Sequence, residues 1–451
     1  MKIVIIGLGT IGEDVLKTLS NNKHTISIID EDSVLIERMI EKYDVQGVVG
    51  NGASIDIQRE AGVKNSNVVI ALTKDDELNI FACLVAKKLG AKNTVARVRN
   101  PEYRQQIIDM KDELGISMII NPELDTAYEI FNLIRLPEIA EIERFANGKV
   151  LLVKVAVDKD SSLVGETLIS ISKKINTRVL ICAVQRGEDV IIPSGRFKIQ
   201  EGDKICFTAN AKELREFLTE ANIIKSPLKN IMIIGGNRIA YYLAKLLSQK
   251  KYTVKLMEEN KERAEKFADE LSRVTVITGS GTQHDVLIEE GIESMDSLVA
   301  LTDIDEENMI VSMFAHSVGV KKTITQIQNE NLTSMLSKLN IQNNISPKEV
   351  VSERVTSYIR ALNNSRGSNV ASLYYLVNGR VEAVEFVAKK QSKFYDRPLR
   401  ELTMKDNCLI GCIIRDDSVI IPNGDTEIHI GDGVIVVTTR KELNDLVDVF
   451  V

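Results

Sequence analysis

Gly7, Gly9 and Gly12 fall in the spacing Gly-x-Gly-x-x-Gly, between an apolar run that starts at Lys2 and a stretch with helical periodicity. In that setting each glycine has a task. The first allows a tight turn, the second lets backbone approach a pyrophosphate, and the third lets helix pack on strand. The helix N-terminus then presents free N–H groups to phosphate oxygens. Asp30 ends the next apolar run. A carboxylate there accepts hydrogen bonds from a ribose and disfavours a 2′-phosphate, which points to NAD rather than NADP. Further candidates are Asn51 in "GNGAS" and Thr73 with Lys74 in "LTKDDE", where Thr73 can cap the following helix. Asn51-Gly52 also reads as a simple turn. Arg97 and Arg99 alternate along an apolar run, so they share a face, and either a phosphate contact or a salt bridge would explain them.

Other chemistry finds little support. A dehydrogenase needs a proton donor or acceptor beside the nicotinamide, and none is apparent. Tyr241 and Lys245 have a Tyr-x-x-x-Lys spacing but lie immediately after a second glycine-containing turn, too early in a nucleotide domain for a catalytic pair. No Gly-Lys-Ser or Gly-Lys-Thr occurs. The five cysteines form no Cys-x-x-Cys and sit in apolar runs, as buried thiols do. The four histidines are scattered, without zinc spacing.

The elements that must hold these residues alternate. Apolar strands are expected near 2–6, 25–29, 45–49, 67–72, 94–98 and 117–120, with amphipathic helices such as "DELNIFACLVAKKLG" between them. That alternation predicts a doubly wound parallel sheet. A helix entered through Asn-Pro ("NPELDTAYEIFNLIRL") leads to a smaller α+β module, with strands in "KVLLVKVAV", "VLICAVQ", "DVIIPSG" and "DKICFTA" and a closing helix "AKELREFLTEA".

The whole pattern then repeats at a nearly constant offset. "KIVIIGLGTIG" returns as "NIMIIGGNRIA", Gly50 matches Gly279, Asn79 matches Asn308, and Pro193 matches Pro422. The chain is therefore α/β, with tandem Rossmann-type domains each followed by a small α+β module. The expected bounds are 1–122, 135–219, 228–347 and 365–451. The second loop (Gly235, Gly236, Asn237, Arg238, Ile239) has lost two glycines, with Asn237 and Ala240 where Gly9 and Gly12 stand. Gln326 and Gln328 replace both arginines, while Glu258 and Thr302 keep the places of Asp30 and Thr73. This second site is expected to bind a nucleotide weakly, to bind a different one, or to bind none.

The formal charge of −7 argues against a nucleic-acid surface and against adhesion to anionic lipid. No apolar run approaches bilayer length, and no basic-then-apolar leader opens the chain, so a cytoplasmic protein is expected.

"GLGTIG", "REAGV…VVIALTKDDELN", "ARVRNPEY", "VIIPSG" and "EGDKICF", in this order, resemble the regulator-of-potassium-conductance (RCK) unit. Two units in one chain are similar to regulators of Trk-type potassium uptake. The resemblance implies a non-enzymatic gating subunit that senses NAD(H) and adenine nucleotides such as ATP/ADP. Its partner would be an integral-membrane, channel-like potassium subunit, which would hold it at the inner face of the membrane. The family's rings need eight units, which implies a homotetramer. The nucleotide contacts implied by the motif are Gly7, Leu8, Gly9, Thr10, Ile11, Asp30, Thr73, Lys74 and Arg97. Asn51 stands where the family often has Asp. The alternatives are an NAD-dependent oxidoreductase and a nucleotide-sensing regulator of another transporter.

Overall fold

The computed structural model describes every residue except 21–23, 136–139, 146–149, 188, 224–227, 330, 333–334, 336–342, 365–369, 377–380, 390–391, 417, 440–442 and 444. The expected start of the last domain, residue 365, lies outside the described residues.

Strands β1 (Lys2–Ile6), β2 (Thr25–Asp30), β3 (Gln46–Val49), β4 (Val68–Ala71), β5 (Asn93–Arg97) and β6 (Met118–Ile120) form a parallel sheet in the order β3-β2-β1-β4-β5-β6. Ile3, Val4, Ile5 and Ile6 are all buried, as a central strand covered on both faces by helices requires. Strands β7 (Ala140–Phe145), β8 (Val150–Ala156), β9 (Leu180–Arg186), β10 (Asp189–Ile191) and β11 (Lys204–Ala209) make an antiparallel sheet in the order β10-β9-β11-β8-β7. Strand β7 is an addition to the sequence reading, which assigned "AEIERF" no strand.

The second half repeats both sheets. Strands β12 (Asn230–Ile234), β13 (Thr253–Glu258), β14 (Val274–Thr278), β15 (Ser297–Ala300), β16 (Lys322–Gln326) and β17 (Asn343–Ile345) keep the parallel order of the first sheet. Strands β18 (Val370–Leu376), β19 (Val381–Val387), β20 (Cys408–Arg415), β21 (Ser418–Ile420) and β22 (Gly433–Thr438) repeat the small one.

The chain divides into two compact units that cut across the halves. One is Met1–Arg135 with Leu228–Ile359, and the other is Leu136–Pro227 with Arg360–Val451. In the first unit the two parallel-sheet domains exchange their connecting helices. Pro122–Arg135 begins with Pro at its first position, where a missing N–H costs nothing, and Asn121 Oδ1 accepts from Leu124 N at 2.9 Å. Its apolar stripe (Ala127, Ile130, Phe131, Ile134) shares one core with Ile239, Leu243 and Leu247 of helix Arg238–Ser248, in the other half.

Reciprocally, helix Pro347–Asn364 meets helix Thr10–Ser20 through a buried bond, Ser352 Oγ to Asp14 Oδ2 at 2.6 Å. Arg354 of the same helix pairs with Asp125. Ser352→Ala would strand a buried carboxylate oxygen. It is expected to cost about 1–3 kcal/mol, read as a lowered denaturation midpoint. An unchanged midpoint would show that water reaches Asp14.

In the second unit the small sheets share a core of Val150, Leu152, Cys182 and Cys206 with Val381, Ala383, Cys412 and Val437. A bulge between Ile410 and Cys412 takes Gly411 out of register, and the Gly411 carbonyl accepts from Thr208 Oγ1 at 2.8 Å. All five cysteines are buried and unbridged, as expected. Burial pushes the Cys83 thiol up to about 12, and Cys182 is raised by burial and then by Cys206. Among the described residues no helix is long and apolar enough to cross a membrane.

Candidate functional site

The first glycine loop leaves β1 at the sheet's carboxyl edge, where ligands bind in this topology. Each glycine has a distinct constraint. Gly7 has φ +88°, and a Cβ there would lie 2.7 Å from Thr73 N. A Cβ on Gly12 would lie 2.0 Å from the Gly7 carbonyl oxygen, so helix and loop are in contact. A Cβ on Gly9 would meet no atom of the described residues within 4 Å. Strand and helix packing therefore explain Gly7 and Gly12 but not Gly9.

Asp30 holds the loop. Its Oδ2 accepts from Leu8 N at 2.7 Å and its Oδ1 from Asp32 N at 3.1 Å. A carboxylate has about four acceptor positions, so capacity for ribose hydroxyls remains. The Leu8 side chain is buried, so its contribution is backbone conformation. Thr10 is exposed and Ile11 half-buried on the first helical turn.

Thr73 ends beside the loop but does not cap the next helix. Asp75 does, accepting from Leu78 N at 2.7 Å. Thr73 binds instead to Asn79, which is fully buried. Asn79 Oδ1 accepts from Thr73 N and Oγ1, both at 2.8 Å. Its Nδ2 donates to Thr73 O at 3.1 Å and to Arg97 O at 3.0 Å. One amide thus ties the ends of β4 and β5. Sequence reading assigned Asn79 no role, although its repeat as Asn308 was visible. Asn308 makes the same bracket to Thr302 and to the Gln326 carbonyl.

The two arginines separate. Arg99 lies beyond β5, donates to Lys74 O at 2.6 Å and pairs with Asp76 at 3.8 Å. Arg97 ends β5, with Nη1 3.4 Å from Thr73 O and Nε without a partner among the described residues. Burial, and then the neighbouring Arg99, pull its guanidinium below its usual pKa. A desolvated cation with an unused donor suits an anionic ligand. The Lys74 side chain is exposed. Asn51 is exposed and folds back on its own turn, with Oδ1 accepting from Ala53 N at 2.8 Å.

In the second half a cavity of about 450 Å³ occupies the equivalent place. Gly235, Gly236, Asn237, Glu258 and Thr302 line it, whereas Arg238 is exposed and Ile239 joins the core. Asn237 fills the role Gly9 leaves open. Its Oδ1 caps the helix by accepting from Ala240 N at 3.0 Å, and its Nδ2 donates to Leu301 O at 2.8 Å. Glu258 is buried, with Oε1 accepting from Asn260 N at 2.8 Å and Arg263 3.7 Å from Oε2. Glu259, Asp303 and Glu307 also line this cavity and were not singled out from sequence.

Tyr241 and Lys245 form no acid–base pair. Lys245 Nζ lies 5.7 Å from the Tyr241 ring centroid, and burial followed by Glu270 raises the phenol's pKa. Among the described residues no His, Cys, Asp and Glu cluster could hold a metal.

The TrkA-N domain matches residues 3–122 and 231–347, and the TrkA-C domain matches 152–221 and 383–451. A Trk system potassium uptake protein TrkA homolog from Archaeoglobus fulgidus is 30% identical over 100% of both chains. The Trk system potassium uptake protein TrkA of Vibrio alginolyticus is 32% identical, over 98% of this chain and 96% of its own. The solved GsuK RCK domain shares the fold with a TM-score of 0.61 at 16% identity, covering 98% of this chain and 92% of that one. The GsuK channel bound to NAD has the same TM-score and identity, over 98% and 77%.

Proposed function

The chain belongs to the TrkA family of Trk-system potassium uptake proteins, and from that premise we propose that it is a non-enzymatic nucleotide sensor that gates a potassium-transporting membrane subunit. The observation that carries the reading is Gly9, a glycine with open space before it, on a loop that Asp30 holds and Arg97 flanks. Gly7 to Ile11 would receive the pyrophosphate and Asp30 the ribose, with Lys74 and Arg97 offsetting the pyrophosphate charge beside Thr73. Asn51 would border the adenine side. NAD(H) fits this donor set, and ATP or ADP shares its adenosine and phosphates. The bound nucleotide supplies binding energy and no reaction. A gate moves when a ligand binds its two states unequally.

The domain bounds 1–122, 135–219, 228–347 and 365–451 belong to this proposal. So does a homotetramer held at the inner membrane face by its partner.

Titrating the full-length protein with NADH, followed by nicotinamide fluorescence, tests the site. Asp30→Ala removes a charged acceptor and is expected to weaken binding about tenfold or more. Unchanged affinity would remove Asp30 from the site. In vesicles carrying the membrane subunit, potassium flux should respond to NADH or ATP. Indifference to every nucleotide would refute the gating role.

A further inference from the structure

We infer that the cavity of the second parallel-sheet domain selects a nucleoside without phosphates, adenosine being the simplest, rather than a nucleotide. The inference extends the functional reading above but rests on the cavity alone. Its volume, about 450 Å³, lies within the range of small-molecule pockets.

Both features that attract phosphate in the first half are absent here. First, the helix N-terminus is already capped by Asn237, so a donor that would face a pyrophosphate is taken. Second, the charge is inverted. Asp303 stands where the first half has Lys74, Glu307 where it has Leu78, and the uncharged Gln326 and Gln328 where it has Arg97 and Arg99. Among the described residues, Glu258, Glu259, Asp303 and Glu307 line the cavity against one cation, Arg263, which already lies beside Glu258. Like charges a few ångströms apart repel a diphosphate strongly in a partly enclosed site.

What remains suits the rest of a nucleotide. Glu258 Oε2 lies over Gly236, 2.4 Å from where a Cβ would stand, so a carboxylate is held at the carboxyl end of β13, as Asp30 is at the end of β2. It can accept from a ribose diol. Gly279, Ser280, Gly281 and Thr282, beyond the end of β14, give the lining a base would meet, while Ile234, Met257 and Leu301 form the buried floor beneath it.

The test uses the full-length protein with the first site saturated by NADH. Adenosine and ADP are each titrated by calorimetry, without and then with magnesium. Adenosine is expected to bind, and ADP to bind at least about tenfold more weakly. Glu258→Gln should weaken adenosine about tenfold or more while leaving NADH fluorescence unchanged. The double variant Asp303→Lys with Glu307→Leu, which restores the residues of the first half, should recover ADP binding by a similar factor. No heat with adenosine, ADP binding as tight as adenosine, or tight ADP binding that needs magnesium would each overturn the inference. The NADH titration is read separately, so failure of the first site and failure of this one are distinguishable.

Discussion

Gly9→Ala is expected to abolish tight NADH binding while the protein keeps its stability, and Gly12→Ala to do the reverse first, loosening the fold. The added Cβ at position 9 meets no atom of the described residues within 4 Å, and Gly9 is not among the glycines of positive φ. The substitution should therefore be neutral, or stabilise by about 0.4–1 kcal/mol through the unfolded chain. A pyrophosphate against that backbone would meet the methyl group, and a loss of about a hundredfold in affinity corresponds to roughly 2.7 kcal/mol.

At position 12 the methyl group would stand 2.0 Å from a backbone oxygen. Helix and loop must part, at a cost of about 3 kcal/mol or more. The second half carries Ala240 at this place, but together with Asn237 in the preceding turn. Paired thermal melts and NADH titrations separate the two effects. If Gly12→Ala melts and binds like the parent, the first loop can adopt the geometry of the second.

Asn79→Ala is expected to be among the most damaging substitutions away from the glycine loop. It removes four hydrogen bonds at a site with no exposure, takes away the bonds that Asn79 gives Thr73 N and the Arg97 carbonyl, and leaves the Thr73 carbonyl only the 3.4 Å contact with Arg97 Nη1. Each stranded group costs about 1–3 kcal/mol, so a loss of about 3–5 kcal/mol is expected after relaxation. Because the same amide sets Thr73 and the end of β5, NADH affinity should fall as well. Asn79→Asp keeps the acceptor but turns a second carboxylate oxygen toward the two carbonyls at a site with no exposure, and should cost at least as much as alanine. Chemical denaturation of all three gives the order. A drop below about 0.5 kcal/mol for alanine would show that the bracket is dispensable.

Much of the sheet was legible because its strands are short runs of Ile and Val between turn residues. The expected run at 2–6 is β1 as observed, and those near 45–49 and 117–120 begin one residue later in the structure. The tandem duplication and the loss of the second glycine loop were likewise written in residue types. Strand β7 was not, since half of "AEIERF" is charged and it lacks the apolar run that marks the other strands, although Pro137 precedes it and Asn147-Gly148 follows it. The helix cap was misplaced because "TKDDE" offers Thr73 and Asp75 within one turn, and only the backbone decides which is the N-cap. Asn79 escaped notice for another reason. A helical Asn has no sequence signature that separates a solvated amide from a bracket between two strand ends.

The partner of each connecting helix was also invisible, since an apolar stripe specifies that it is buried but not against what. The exchange has a consequence for how such a chain arises. Helix Pro122–Arg135 lies on the other half's Arg238–Ser248, and Pro347–Asn364 bonds the first half's Thr10–Ser20. This is the arrangement of a two-fold dimer whose partners have become one polypeptide. A lone half would expose Ile239, Leu243 and Leu247, or their covering stripe, to water. A half on its own would keep that surface from water only by pairing with a second copy. Once fused, each copy is always supplied with the other at fixed stoichiometry. One glycine loop could then acquire Asn237 and Ala240 without taking the same change into its companion, an asymmetry that identical subunits encoded by one gene cannot have.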